Sequence, residues 1–350
     1  MAKKSQSIQD FIVNAIPDHP KDVVARAMER FGLSRQAINR HVNILIKSGF
    51  VQAEGKTKQR TYKLSVTERN TLTVPILNLE EDRLWRENIS ALLNSLPENM
   101  YHIWHYGFTE MVNNAVDHSN GEMLTVILEK TAATTNMLIS DDGIGIFRKI
   151  KVELGLEDER HAILELAKGK LTTDPSRHTG EGIFFSSRMF DHYRILSGGV
   201  FFSHVLGEEE NWIIEREIPK EGTIVYMSNK NVCPRTTKEI FDKYLSKKED
   251  YGFNKTVVPV RLLKHGFEQL ISRSQAKRLL VRFDRFKVVI LDFKGVDTIG
   301  QAFADEIFRV FSSDHPDVRL IPVNATSEVK KIIRRAKPIK SSLLPSLFDK

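Results

Sequence analysis

The sequence has almost no cysteine: Cys233 is the only one in 350 residues, so no disulfide can form within the chain. Structural disulfides belong to oxidising compartments, and excluding them predicts a reducing, cytoplasmic setting. Long apolar runs are also missing. No stretch approaches the roughly 20 apolar residues that span a bilayer. The polar opening Met1 to Ser7 is followed by no apolar segment of the signal-peptide type. No membrane attachment is expected. What remains is an ordinary globular composition, 41% hydrophobic, long enough for two or three domains.

Positive charge is present in excess, and it is concentrated. The net charge is +7. Residues 1–65 hold 12 Lys and Arg against 5 Asp and Glu, whereas the rest of the chain is balanced at 40 of each. A small basic module attached to a neutral body points to a polyanionic partner.

The pattern within that module is specific. Ser7 to Ile16 and Asp22 to Phe31 have helical apolar spacing, separated by Pro17 and Pro20. Gly32 and Leu33 make a turn. Ser34 fits an N-cap, and a third helix is expected over Arg35 to Lys47, ending at Gly49. "FVQAE" and "RTYKLSV" alternate like hairpin strands around "GKTKQ". The stretch "LSRQAINRHVNILIKSGFVQAEGKTKQRTYKL" resembles the winged helix-turn-helix family. The resemblance implies duplex DNA as partner, with the third helix in the major groove. Arg35, Gln36, Asn39 and Arg40 would then face base edges. Lys56, Lys58 and Arg60 on the wing would face phosphates, which supply most of the affinity. The plainer alternative is a protein-docking module with solvated charges.

Residues 66–84, with Pro75 and no clear period, are expected to form a linker. Residues 85–230 then read as α+β, with a helix layer on a mixed sheet. In "YGFTEMVNNAVDHS" Phe108, Met111, Val112 and Ala115 mark a buried helix face, yet Glu110 and Asn114 share one stripe of that helix. Asn is a poor helix former. A solvated face with a local hydrogen bond would account for the pair; so would a site that needs a carboxylate beside an amide oxygen. Strand-like runs at Leu124 to Glu129 and Asn136 to Ser140 lead to "DDGIG", an acidic turn with two glycines. A helical region near residues 157–169 precedes "TGEGIFF", a glycine-bearing loop that runs into a helix over Ile183 to Phe190.

"EMVNNA", "DDGIG" and "TGEGIFF", in that order, resemble the N-box, D-x-G-x-G box and glycine box of the GHKL ATPases. That family includes DNA gyrase, histidine kinases and the anti-sigma-factor kinases. The resemblance implies the Bergerat α/β sandwich and ATP with Mg2+ as cofactors. It assigns Asn114 as the Mg2+ ligand, a role for which magnesium favours hard oxygen donors. It assigns Glu110 the role of polarising a water where hydrolysis occurs. Asp141 would accept the adenine amino hydrogens, with Gly143 and Gly145 turning under the base. Gly180 and Gly182 would admit backbone N–H groups to the phosphates. Phe184 stands where many members have a further glycine, as in the anti-sigma kinase branch. Lys168, Lys170, Arg177 and His178 fall in the lid segment, as candidate phosphate contacts. A histidine kinase fits less well, because no dimerising helical hairpin precedes the N-box.

Residues 231–255 are expected to form a second linker. In 256–340 an apolar strand, Val288 to Phe293, leads into "KGVDTIGQAFADEIFRVF", and "VRLIPVNAT" is a second strand before a helix near Glu328. This resembles the STAS-like α/β domains. Gln301 and Ala302 stand where anti-anti-sigma members carry their phospho-accepting Ser pair, so docking of a regulatory protein is expected rather than phosphotransfer. The combined expectation is a multidomain α+β regulator of transcription: winged helix, GHKL domain, STAS-like domain, with a homodimer as the default. The nucleotide state would control DNA or partner binding. The alternatives are a protein serine kinase of the anti-sigma type and an ATPase switch in nucleic-acid transactions.

Overall fold

Three helices open the chain, α1 Ala2–Ala15, α2 Val23–Phe31 and α3 Arg35–Lys47. Their apolar stripes converge: Ile8, Ile12, Val23, Ala27, Ile38, Val42 and Leu45 form one buried cluster. Ser34 caps α3, its Oγ accepting from the Ala37 N–H at 3.3 Å. The strands β1 Val51–Glu54 and β2 Thr61–Leu64 pair antiparallel, Val51 opposite Leu64. Val51 and Tyr62 add their side chains to the helical cluster. The Tyr62 N–H donates to Pro20 O at 2.8 Å, pinning the hairpin to the turn after α1.

The computed structural model describes residues 2–56, 59–170, 181–206, 212–244, 254–263 and 269–336. The chain divides into two compact units, Met1–Lys149 with Ser186–Thr237 and Ile150–Phe185 with Lys238–Lys350. It is a mixed α+β protein with several sheets.

Residues 66–84 are not a linker. They contain β3 Glu68–Pro75, which pairs antiparallel with β4 Met123–Lys130 along its whole length. Alternate β3 residues Glu68, Asn70, Leu72 and Val74 are half-buried and the others exposed. An edge strand with one wet face needs little apolar sequence, which is why its pattern was weak. The strand also attaches the first module firmly. Thr67 donates to Lys130 O through N–H at 2.8 Å and Oγ1 at 3.0 Å. Ala133, in the turn after β4, belongs to the cluster of the first three helices. Lys230 Nζ meets Asp18 Oδ2 at 2.6 Å.

After β3, α4 Glu81–Leu84 passes through a π turn, Trp85–Ile89, into α5 Ser90–Leu93. The long helix α6 Glu98–His118 follows, burying Met100, Ile103, Trp104, Phe108, Met111, Val112 and Ala115. With β5 Thr134–Asp141, β6 His192–Val205 and β7 Trp212–Lys230, the first unit's sheet has the order β3-β4-β5-β7-β6. Every pairing is antiparallel, not mixed as expected. The sequence-adjacent pairs β4–β5 and β6–β7 are simple returns, and β7 inserts between β5 and β6 without a parallel crossover.

The segment 150–185, expected within an 85–230 domain, belongs to the second unit. Around it lie α7 Ile146–Leu154, α8 Glu159–Lys168 and α9 Gly182–Met189, then α10 Thr237–Tyr244, inside the supposed second linker. The strands β8 Lys255–Pro259, β9 Val288–Asp292 and β10 Arg319–Val323 form a parallel sheet in the order β10-β9-β8. Its helices are α11 Arg273–Leu280, α12 Gln301–Asp305, α13 Ser312–Asp314 and α14 Ser327–Ala336, with a π turn, Glu306–Phe311, between α12 and α13.

An ion triad is buried in this unit. Lys168 is 0% exposed, Glu165 2% and Arg282 8%. Lys168 Nζ donates to Glu165 Oε1 at 2.5 Å and to Val281 O at 2.9 Å. Arg282 Nη1 donates to Glu165 Oε2 at 3.1 Å. Burial pushes the Lys168 amine down to about 8, against the opposing pull of Glu165. No described helix is long and apolar enough to cross a membrane.

Candidate functional site

The end of α6 carries Glu110 and Asn114, both half-buried. The Asn114 amide nitrogen lies 4.0 Å from Met111 Sδ. Near Glu110 stands Tyr193 of β6, fully buried, whose Oη donates to Met111 Sδ at 3.1 Å. Burial, and secondarily the Glu110 charge, holds the Tyr193 phenol above its ordinary pKa. At the helix end Lys149 Nζ donates to His118 O at 3.1 Å, a cation in the position a helix C-terminus favours.

One residue further, Ser119 joins α6 to the acidic turn. Its hydroxyl donates to Ala115 O at 2.6 Å and accepts from the Gly121 N–H at 2.9 Å. Its carbonyl accepts from the Ile144 N–H at 2.8 Å. Gly143 lies so close that a Cβ would sit 2.1 Å from Ser119 O. Helix α6 and the "DDGIG" turn are thus in direct contact.

Asp141, at the end of β5, is the centre of that turn. Its Oδ1 accepts from the Gly143 N–H at 3.0 Å and the Thr223 N–H at 3.2 Å. Among the described residues no donor meets Oδ2. Burial raises the Asp141 carboxyl above the usual carboxylate range, although the two donors pull the other way. Thr223 Oγ1 in turn accepts from the Ile146 N–H at 3.0 Å. Gly145 is buried against Ser197, whose Oγ would lie 2.6 Å from a Cβ there. Asp142, by contrast, is exposed, and its Oδ1 accepts from the Glu122 and Met123 N–H groups at 2.8 and 3.0 Å. Those backbone donors, Met123 first, hold its carboxyl below the usual range. The arrangement holds the half-buried Asp141 carboxylate in a turn whose two glycines pack on Ser119 and Ser197, against the end of the helix that carries Glu110 and Asn114.

Three residues of this network escaped sequence reasoning: Ser119, Gly222 and Thr223. Gly222 and Thr223 are distant in sequence, and their signal was a Gly-Thr step inside the strand β7. Gly222 has φ +75°, and a Cβ on it would meet Asp141 O at 2.0 Å. Gly222→Ala is therefore expected to destabilise the first unit by at least about 1–3 kcal/mol, the scale of backbone strain alone. A urea unfolding midpoint equal to that of the unsubstituted chain would show that the turn tolerates the displacement.

Gly182 opens α9, whereas Gly180, Arg177 and His178 lie outside the described residues. Lys168 and Lys170 do not serve as open phosphate contacts. The first is fully buried on Glu165, and the second donates to Arg285 O at 2.9 Å.

In the basic module, Arg35, Gln36 and Arg40 are exposed on α3 and Asn39 is half-buried, while Ile38, Val42 and Leu45 face the core. No acidic residue interrupts α3. Lys56 and Arg60 are exposed at the hairpin tip, and the Arg60 guanidinium lies 5.4 Å over the Tyr62 ring. Lys58 lies outside the described residues.

Among known proteins, a family model described as a STAS-like domain of unknown function (DUF4325) matches residues 275–330. The C-terminal region is therefore STAS-like, and the match runs from α11 through β9 and β10 into α14. No curated protein matches the chain.

Proposed function

We propose that this chain is a cytoplasmic, ATP-binding and DNA-binding regulator of transcription. A GHKL-type nucleotide site in the first unit would control the binding of DNA or of a protein partner. The observation that carries the nucleotide reading is the Asp141 carboxylate, anchored through Oδ1 on the Gly143 and Thr223 N–H groups, in a turn that touches the end of the helix bearing Glu110 and Asn114. The residues present fit the ligand. Oδ2 of Asp141 suits an exocyclic amine, and guanine, which presents a carbonyl there, would be repelled. Gly143 and Gly145 let the turn pack directly on Ser119 and Ser197, which fixes where Asp141 stands. Asn114 would supply one hard oxygen to a phosphate-bound Mg2+. Calorimetric titration of the full chain with ATP and then GTP, each with Mg2+, tests this directly. Saturable heat with ATP and none with GTP is expected; equal heats, or none, would remove the reading.

Glu110, one helical turn before Asn114, favours an ATPase or a protein serine kinase as the alternative, since a carboxylate there can orient a water or a hydroxyl. Incubation with γ-labelled ATP separates the cases, because label appears as free phosphate, on protein, or in neither.

The DNA reading rests on the uninterrupted basic and amide face of α3 and on the exposed hairpin cations. Full-length protein is expected to bind duplex DNA with steep salt dependence. Lys56→Ala and Arg60→Ala should weaken all sequences alike and each reduce the slope of log K against log salt by about 1. Asn39→Ala and Arg40→Ala should instead narrow the gap between preferred and random sequence. Binding without salt sensitivity would favour protein docking by this module.

A further inference from the structure

We infer that α3 selects adenine: Gln36, Asn39 and Asn43 form a ladder of amides that meets adenine edges in the major groove, so that the preferred duplex carries adenines about two base pairs apart. This selection rests on the DNA reading above and narrows it to one class of sequence. It adds Asn43, which the sequence pattern did not single out, to the residues that face the duplex. Helix α3 lies wholly within the first unit.

Helix geometry brings the three amides together. Residues advance by about 100° around an α-helix, so Asn39 and Asn43 stand within roughly 60° of Gln36 and on the same side of it. Ile38, Val42 and Leu45 are turned away from them and buried. Gln36 and Asn43 are exposed, and Asn39 is half-buried. Cations border the ladder on both sides. Arg35 lies beyond Asn39, Lys47 and Arg40 lie beyond Gln36, and all three are exposed. Helix α3 carries no Asp or Glu. Amides along the centre with cations along both margins match a groove whose floor is base edges and whose walls are phosphate. Arg40, at the margin beside Gln36, can still reach a base edge.

The state of these amides differs from that of others on helices. Asn14 folds back on Asp10 O at 2.8 Å and Asn88 on Leu84 O at 3.3 Å, while Gln6 and Gln301 each donate to an Asp four residues on. The Gln36, Asn39 and Asn43 amides have no such partner among the described residues. Each therefore keeps a donor and an acceptor side by side, the pair that adenine matches with N7 and its N6 amino group. Guanine presents two acceptors on that edge and would leave the amide oxygen facing one of them. The spacing fits as well. Asn39 and Asn43 are separated by a rise of about 6 Å along α3, and two base-pair steps span about 7 Å. Asn is a poor helix former, so two of them in one helix cost stability that Ala would not.

The test enriches random-sequence duplexes on the full chain at one fixed salt concentration and sequences the bound pool. The enriched duplex is then resynthesised with 7-deazaadenine at single positions, a base that has C–H in place of N7 and pairs normally with thymine. Adenines about two base pairs apart are expected in the pool, and 7-deazaadenine at either should weaken binding at least about fivefold, the lower end of bidentate discrimination. Asn43→Ala should bind the unmodified duplex correspondingly more weakly and lose its sensitivity to one of the two replacements, and Asn39→Ala to the other. Asn43 is exposed, so Asn43→Ala decides the matter if the half-buried Asn39 position does not tolerate change. A pool without such adenines, 7-deazaadenine without effect, or an Asn43→Ala variant as sensitive at both positions as the unsubstituted chain would overturn the inference while leaving DNA binding intact. Absence of salt-sensitive binding to any duplex would remove the DNA reading itself, and adenine selection with it.

Discussion

Asp141→Asn abolishes ATP binding and leaves the apo protein at least as heat-resistant as the unsubstituted chain: this pair of results is what the turn geometry leads one to expect. Asn can keep its Oδ1 on the Gly143 and Thr223 N–H groups, which Asp141 Oδ1 occupies at 3.0 and 3.2 Å. Its NH2 group then replaces Oδ2, and a donor faces the donors of the adenine amine. An unsatisfied buried polar pair costs about 1–3 kcal/mol, and loss of a charge-assisted bond adds to it, so affinity should fall by roughly a hundredfold or more. The apo protein gains on the same change. Burial raises the Asp141 carboxyl, so just above the ordinary carboxylate range the folded state holds more protons than the unfolded one. Stability therefore falls as pH rises through that window, and the cost persists at neutral pH. Asn carries no such cost. In the unsubstituted chain the same sign predicts that ATP affinity falls on acidification while exposed carboxylates are still ionised. A melting curve with a lowered midpoint for Asp141→Asn would mean that the carboxylate is structural and that its place in the site is incidental.

The second large effect is expected at Glu165. It is the sole carboxylate among the three members of the buried triad, shared by Lys168 and Arg282. Glu165→Ala leaves two buried cations without their counter-charge, a change that costs about 3–5 kcal/mol. Replacing Glu165, Lys168 and Arg282 together by Met should recover most of that loss, since an apolar core of similar volume is neutral or stabilising relative to buried ions. The pH dependence has a definite sign. A Lys whose folded pKa is lowered, here to about 8, binds fewer protons folded than unfolded, so stability rises with pH above that value. Without Glu165 the amine loses its main support and the rise should begin at lower pH. Urea unfolding followed by far-UV circular dichroism measures all of this. Trp85, Trp104 and Trp212 all belong to the first unit, so tryptophan fluorescence provides an internal control. A Glu165→Ala midpoint within about 0.5 kcal/mol of the unsubstituted chain, the range of ordinary surface changes, would mean that water reaches the triad.

What the sequence revealed and what it hid follow from the range of the interactions. Helix α3 was legible to the residue because its signals are local: a Ser34 cap, apolar residues at helical spacing and a stop near Gly49. The α6 face was legible for the same reason, as was the acidic turn at Asp141. Strand β3 was hidden because its partner β4 lies some fifty residues on and its outer face is polar. Thr223 and Gly222 were hidden because Asp141 selects them across the sheet. Lys168 was misread for a physical reason. A lysine in a helix is by default a solvated charge, and only the convergence of Glu165, Val281 and Arg282 allows it to be buried. The same convergence took residues 150–185 out of the domain to which motif order had assigned them.

The attachment of the first module to the sheet has a consequence for phasing along a DNA helix. A reading head on a floppy tether tolerates almost any separation between half-sites. Here β3 leaves the hairpin at once and pairs with β4, while Ala133 and the Lys230–Asp18 pair close the other side. If two copies, the homodimer expected from the sequence, bound two-fold-related half-sites, each would carry its first unit with its α3, and contact between the copies would fix the rotation between the two α3 helices. Lengthening the spacer by a full turn, about 10 base pairs, would keep both heads on one face of the duplex. Adding half a turn would put them on opposite faces and break joint binding, even though each half-site remained intact.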